Sequence, residues 1–108
     1  MFESLLKSVF GSKHDRDIKR VQPIVEEINR LSGEWDSHTD EQIQARTADL
    51  RERLASEKDT LDDLLPEAFA AVKQACKRLC GKTWDVCGYP LTWEIVPYDV
   101  QLIGGIML

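Results

Sequence analysis

The sequence predicts a mainly α-helical chain: a helical N-terminal region of about four helices, then a short β-hairpin, then an apolar, strand-like tail. Three observations carry that prediction. Apolar residues recur every three or four positions over much of residues 2–79, the spacing that lines one face of a helix. After Gly81 the period changes to two short runs rich in aromatic and branched residues around Gly88 and Pro90, the composition of paired strands. The last stretch, Leu102 to Leu108, contains no polar side chain.

Phe2, Leu5, Leu6, Val9 and Phe10 fall at i, i+3, i+4, i+7 and i+8 and form the apolar stripe of a short helix that Gly11 ends. So short a helix cannot hold alone. It must lie on its own domain, on a second protomer or on a bilayer surface, where the cations that follow it favour anionic lipid. A second pattern over residues 14–31 runs through Ile18, Val21, Val25, Ile28 and Leu31, widened by Ile24. Pro23 inside it removes a backbone donor at up to ~3 kcal/mol, which predicts a kink or restart near residues 20–23. Ser32-Gly33 closes that helix and leaves Trp35 and His38 in a loop.

Thr39-Asp40-Glu41-Gln42 has the pattern of a capping box. It opens a third helix with Ile43, Thr47, Leu50 and Leu54 as its buried stripe and Arg46, Glu52 and Arg53 on a solvated face. Thr60 opens a leucine-rich turn, and Pro66 suits the first position of a long helix carrying Phe69, Val72, Cys76 and Leu79 and ending at Gly81. Acidic Asp62, Asp63 and Glu67 at its start and basic Lys77 and Arg78 at its end match the helix dipole. Thr83 to Cys87 and Leu91 to Ile95 then make the hairpin, with Trp84 and Trp93 able to pair across it.

Bulk properties narrow the function. At 108 residues, 43% hydrophobic and 31% charged, the chain is one globular domain in size. No apolar run approaches the ~20 residues of a membrane span. The net charge of -5 is uneven: residues 1–22 hold five cations against three anions, the rest nine against sixteen. A body without a basic face excludes nucleic acid as the expected partner. Three cysteines and no signal-peptide pattern, since Glu3 and Lys7 interrupt the apolar positions, predict a reducing, cytoplasmic setting.

Little in the chain reads as catalytic. Gly81-Lys82-Thr83 imitates the end of a phosphate-binding loop, but Cys76 stands where its first glycine belongs and a helix C-terminus precedes it, whose dipole repels phosphate. Cys76, Cys80 and Cys87 lack the close C-x-x-C pairs of zinc sites and read as buried, inert thiols, so no metal is expected. Glu26-Glu27 and Asp62-Asp63 point apart on their helices and form no acid-base dyad. Gln101 is different, because a glutamine amide can accept from the adenine N6 amine while donating to N7, and Tyr98 could flank the purine face. Its plain alternative is a capped or solvent-facing glutamine before an edge strand. The apolar ending also predicts a buried segment whose partners lie further along a longer chain.

The run Tyr98-Asp99-Val100-Gln101-Leu102-Ile103-Gly104-Gly105 resembles the adenine-recognising Q motif of the SecA family, the ATP-driven motors of bacterial protein export. Met1 to Gly11 resembles that family's N-terminal helix, Leu65 to Ala70 with Lys77-Arg78 the helix before its motor core, and Asp40 to Thr47 also sits in the family's place and order. The resemblance covers almost the whole chain. It implies an amphipathic N-terminal helix at 1–11, a helical region at 12–81, a hairpin insert at 82–96 that departs from the family pattern, and at 97–108 the Q motif opening an incomplete first nucleotide-binding motor domain.

The function so implied is ATP-driven movement of preproteins through the SecYEG channel, from a peripheral position at the cytoplasmic face of the cell membrane. Gln101 and Tyr98 would meet the adenine. Phe2, Leu5, Leu6, Lys7, Val9 and Phe10 would meet acidic phospholipid or the channel, with homodimer contacts a further implied role. ATP with Mg belongs to the complete motor; this chain alone, ending before the phosphate loop, is expected to bind it weakly at best and to hydrolyse none. The alternative is a stand-alone, non-enzymatic helical adaptor that docks on a translocase or membrane surface, its tail pairing with another chain as a strand.

Overall fold

The computed structural model describes residues 1–11 and 13–108, apart from the side chains of Lys7, Val9 and Phe10. The order is α1 (Phe2–Phe10), α2 (Lys13–Glu34), a 3-10 turn (Trp35–Ser37), α3 (Asp40–Ala55), α4 (Leu61–Leu79), β1 (Thr83–Val86), β2 (Tyr89–Thr92) and α5 (Asp99–Met107). A mainly helical chain with one antiparallel hairpin is what the sequence predicted.

Helix α2 is the hub. It packs on both α4 and α5, while α3 reaches the assembly through α4. Val25 and Ile28 sit at the centre with Trp35, Ile43, Ala70 and Leu102 around them. The expected restart at Pro23 does not occur: α2 is continuous from Lys13 to Glu34. Pro23 lies on the exposed side, where water can satisfy the carbonyl that loses its donor, and the buried Val21, Val25 and Ile28 hold the turns on either side.

Nor does the helix stop at Ser32-Gly33. It runs on to Glu34 and passes into the 3-10 turn, which brings Trp35 into the core at 3% exposure rather than leaving it in a loop. Trp35 is seven residues beyond Ile28 and continues its stripe; burying an indole outweighs the ~1 kcal/mol that a helical glycine costs.

The capping box at Thr39 is present, with the Gln42 amide donating to Thr39 Oγ1 at 3.2 Å and the Thr39 N–H to Gln42 Oε1 at 2.8 Å. A second box, Thr60 with Asp63, starts α4 five residues before the expected Pro66, which sits instead in its second turn. The buried stripes differ too. On α3 only Ile43 is buried and Leu50 half-buried, while Thr47 and Leu54 are exposed; Ile43, Thr47 and Leu50 line a shallow groove with Ala68, Ala71, Val72 and Ala75. On α4 the buried positions are Leu64, Ala70 and Gln74, and Val72 is 59% exposed. Small Ala70 permits close approach to α2, and Gln74 is tolerated inside because its Nε2 donates to Ser32 O and to Asp36 Oδ1.

Three arginines are structural, two of them, Arg46 and Arg53, having been expected on a solvated face. The Arg46 guanidinium lies 4.7 Å from the centre of the Trp35 ring. Arg53 donates to Asp59 Oδ2 at 2.7 Å and to both Glu67 carboxylate oxygens at 2.8 and 3.0 Å, tying the α3–α4 connection to α4. Arg78 donates to the carbonyls of Trp35 and His38 and to Gln74 Oε1 and Asp40 Oδ1, which satisfies the carbonyls of the turn before α3.

The hairpin is present but its bounds differ from those expected: Cys87 leaves the first strand for the turn, while Tyr89 and Pro90 join the second, which ends at Thr92 and not Ile95. Thr83 pairs with Thr92 and Val86 with Tyr89, so Cys87 and Gly88 form a two-residue turn, both at positive φ (54° and 85°) as a type I′ turn requires. Trp84 and Trp93 meet edge to face with centroids 6.3 Å apart. The tail is a correction: residues 99–107 are a helix, not a strand. A short apolar run does not distinguish the two. Here Leu102, Ile103 and Ile106, spaced for a helix, turn onto the core, and Asp99 supplies an acidic first residue.

Candidate functional site

The first turn of α5 is built by its own residues. Tyr98 is extended at the N-cap, and its N–H donates to Gln101 Oε1 at 2.9 Å while the Gln101 N–H donates back to Tyr98 O at 2.9 Å. This cap assigns the amide: its oxygen must face the Tyr98 N–H, so Nε2 is the free donor. One lone pair of Oε1 also stays available. The glutamine is therefore a capping residue and, at the same time, an oriented donor-acceptor edge.

Gln101 lies on an apolar groove of about 310 Å³ lined by Phe69, Val72, Ile95, Pro97, Leu102 and Gly105. Gly105 lets α5 approach closely here, since a Cβ would lie 3.3 Å from two Phe69 ring atoms and the ring would have to yield by a few tenths of an ångström. Tyr98 is 74% exposed and does not line the groove, so the structure brings Gln101 to it and leaves the Tyr98 ring outside. An apolar floor with one oriented amide at its edge fits a flat heteroaromatic base better than it fits a sugar or a phosphate, which would need several polar partners.

The remaining candidates lie elsewhere. Phe2, Leu5 and Leu6 on α1 are exposed; Lys7, Val9 and Phe10 have side chains outside the described residues. Gly81-Lys82-Thr83 joins α4 to β1, with Gly81 at φ 87° and its N–H donating to Trp93 O, a connection and not a phosphate cradle. Among the described residues no group of three His, Cys, Asp or Glu side chains could hold a metal ion. The cysteines are not uniformly buried as expected: Cys76 is half-buried, its thiol pushed up by burial and then by Cys80, whereas Cys80 and Cys87 are exposed. Among the described residues no helix is long and apolar enough to cross a membrane.

Three carboxylates are held below their usual range, Glu27 by the hydrogen bond from Arg30 and two others by longer-range or capping partners. The Lys77 ammonium and then the Gln74 amide hold Asp36 below its usual range, and the Thr60 N–H and hydroxyl do the same for Asp63. Depressed folded-state values mean that their stabilisation is complete above the unfolded value of about 4 and is lost as pH falls through the folded values. The melting temperature is expected to fall below about pH 4, and less steeply in Asp36→Asn. Equal slopes in the two proteins would remove Asp36 from this account.

The geometry thus defines a helical assembly whose last helix presents a self-capped glutamine at an apolar groove. The SecA DEAD-like domain family model matches residues 6–108, and the chain belongs to that family. It is 44% identical over 103 residues to the protein translocase subunit SecA of Chlamydia muridarum, covering 95% of this chain and 10% of that protein. It is 35% identical over 147 residues to the SecA of Prosthecochloris aestuarii and 34% to that of Chlorobaculum tepidum, in each case covering 96% of this chain and 14% of the relative. The chain therefore spans only 10% to 14% of the length of these relatives. No solved structure matches it.

Proposed function

We propose that this chain is the N-terminal part of a SecA-type motor which, when complete, couples ATP hydrolysis to movement of preproteins through the SecYEG channel at the inner face of the cell membrane. The observation that carries the reading is Gln101: it stands at the first turn of α5 with its amide oriented by the Tyr98 N–H and its edge on an apolar groove. The relatives named as translocase subunits cover nearly the whole chain. In this reading Gln101 accepts from adenine N6 through the second lone pair of Oε1 and donates to N7 through Nε2. Tyr98 contributes its backbone N–H, which holds the amide, and its ring reaches the purine only from outside the groove. ATP and Mg are bound by the complete motor, whose phosphate-holding groups this chain does not supply. Residues 1–11 act at the membrane or channel, residues 12–81 and the hairpin at 82–96 carry them, and residues 97–108 open the first motor domain.

Calorimetry with ATP tests this on the 108-residue chain and on the full-length product of its reading frame, each with and without Gln101→Ala. The isolated chain is expected to bind too weakly to measure. In the full-length protein Gln101→Ala should weaken ATP by ~1–3 kcal/mol, the worth of a lost two-point base contact. Unchanged ATP affinity in that variant would leave Gln101 with its capping role alone.

A further inference from the structure

We propose that Asn29 and Lys73 are positioning residues for Gln101, linked to it by a hydrogen-bond relay that runs from α4 through α2 to the first residue of α5. The proposal rests on the adenine-reading role of Gln101 and adds what sets the angle of presentation. Lys73 Nζ donates to Asn29 Oδ1, and Asn29 Nδ2 donates to Asp99 Oδ1 at 2.9 Å. A lysine only donates and an ionised carboxylate only accepts, so the Asn29 amide has one satisfactory orientation. Flipped, it would set donor against donor and acceptor against acceptor.

Asn29, in the middle of the relay, and Lys73, at its outer end, each stand next in sequence to a core residue. Asn29 adjoins Ile28 and Lys73 adjoins Gln74, each of these neighbours being fully buried. Asp99 opens α5 and lies two residues before Gln101, about 200° away around the helix axis. The bond to Asn29 therefore holds one side of α5 while the opposite side carries Gln101 to the groove. Further along, Leu102 in the core and Gly105 against Phe69 fix how closely α5 approaches. Apolar contacts are not directional, and among the described residues Asn29–Asp99 is the one side-chain hydrogen bond from the first turn of α5 to another helix. Rotation of that turn, and with it the tilt of the Gln101 amide, is governed by this bond.

The test is ATP and GTP binding by calorimetry in the full-length protein. Asn29→Leu should weaken ATP about three- to tenfold, the effect of one lost hydrogen bond, with GTP little changed, so that the preference for ATP narrows. Combined with Gln101→Ala it should add nothing further, because both act through one amide. The exchanged pair Asn29→Asp with Asp99→Asn should restore the preference, since a carboxylate at position 29 accepts from both Lys73 Nζ and the new amide at position 99. A general structural defect would instead weaken both nucleotides alike and survive the exchange. If Asn29→Leu does not fold, Lys73→Met removes the outer donor on a side chain of similar length and is read by the same criteria. An unchanged ATP-over-GTP preference, in a protein where Gln101→Ala abolishes it, overturns the relay and leaves the adenine reading standing. A Gln101→Ala protein with unaltered nucleotide binding overturns both.

Discussion

Replacing Trp35 with alanine is expected to destabilise the chain by about 3–5 kcal/mol, the usual cost of deleting a buried indole. Trp35 is 3% exposed and belongs to the cluster built on Val25 and Ile28, so its removal opens a cavity where α2, the 3-10 turn and α3 meet. It also deprives the Arg46 guanidinium of the ring beneath it, worth about 0.5–1 kcal/mol more at a partly exposed site. Domains of this size are stable by roughly 5–15 kcal/mol, so a large share of the total is at stake. Urea denaturation followed by circular dichroism measures it. A change below about 1 kcal/mol would mean that Trp35 is not the core residue its burial indicates.

Trp35 also shows where reading the sequence stops being sufficient. Gly33 looked like a helix stop because local propensity was the only term in view, whereas the indole two residues later supplies a tertiary term several times larger. Gln74 escaped notice for the opposite reason. A hydropathy pattern places a glutamine on the surface, and only the fold shows that Ser32 O and Asp36 stand ready to receive its amide. What was legible were features whose cause is local: the capping box at Thr39, the α2 stripe, and a hairpin with paired tryptophans, although its turn falls at Cys87-Gly88 and not at Gly88 to Pro90. Thr60 was legible as an opening residue, but its partner Asp63 decided where α4 begins, and Pro66 drew the start too far along.

At the candidate site the residue was legible and its surroundings were not. Gln101 stands out chemically as the polar member of an apolar run, yet the run was read as a strand because seven apolar residues fit either period. As a helix, the same residues bring both Gln101 and Leu102 to the groove, whereas a strand would send these two neighbours to opposite faces. Asn29 and Lys73 gave no signal at all. They are 44 residues apart, each ordinary on its own helix face, and only the packing of α2 against α4 and α5 brings them into line with Asp99.

Deleting residues 1–10 is expected to abolish binding to anionic vesicles while leaving the helical body folded. Phe2, Leu5 and Leu6 are 73%, 62% and 41% exposed, an apolar surface that the other described residues do not cover. Burying such side chains is worth roughly 1.5–3 kcal/mol each when complete, and less at an interface that they enter only part way. Lys13, Arg16, Lys19 and Arg20 follow on the first part of α2, all exposed, and cations near an anionic surface add about 1 kcal/mol each at moderate salt. Neither term alone gives firm attachment, because a few partly buried side chains resemble a single weak anchor and the charges are screened. Together they predict binding that requires acidic lipid, weakens with salt, and fails when the apolar half is removed. Leu5→Asp provides the milder test: it lies on an exposed face, so the fold is untouched, yet it places a charge in the apolar stripe and should reduce vesicle binding more than tenfold. Co-flotation with phosphatidylglycerol vesicles, compared with phosphatidylcholine vesicles, reads both variants. Undiminished binding by the truncated chain would assign the lipid contact to another surface and leave α1 for the channel or a second protomer.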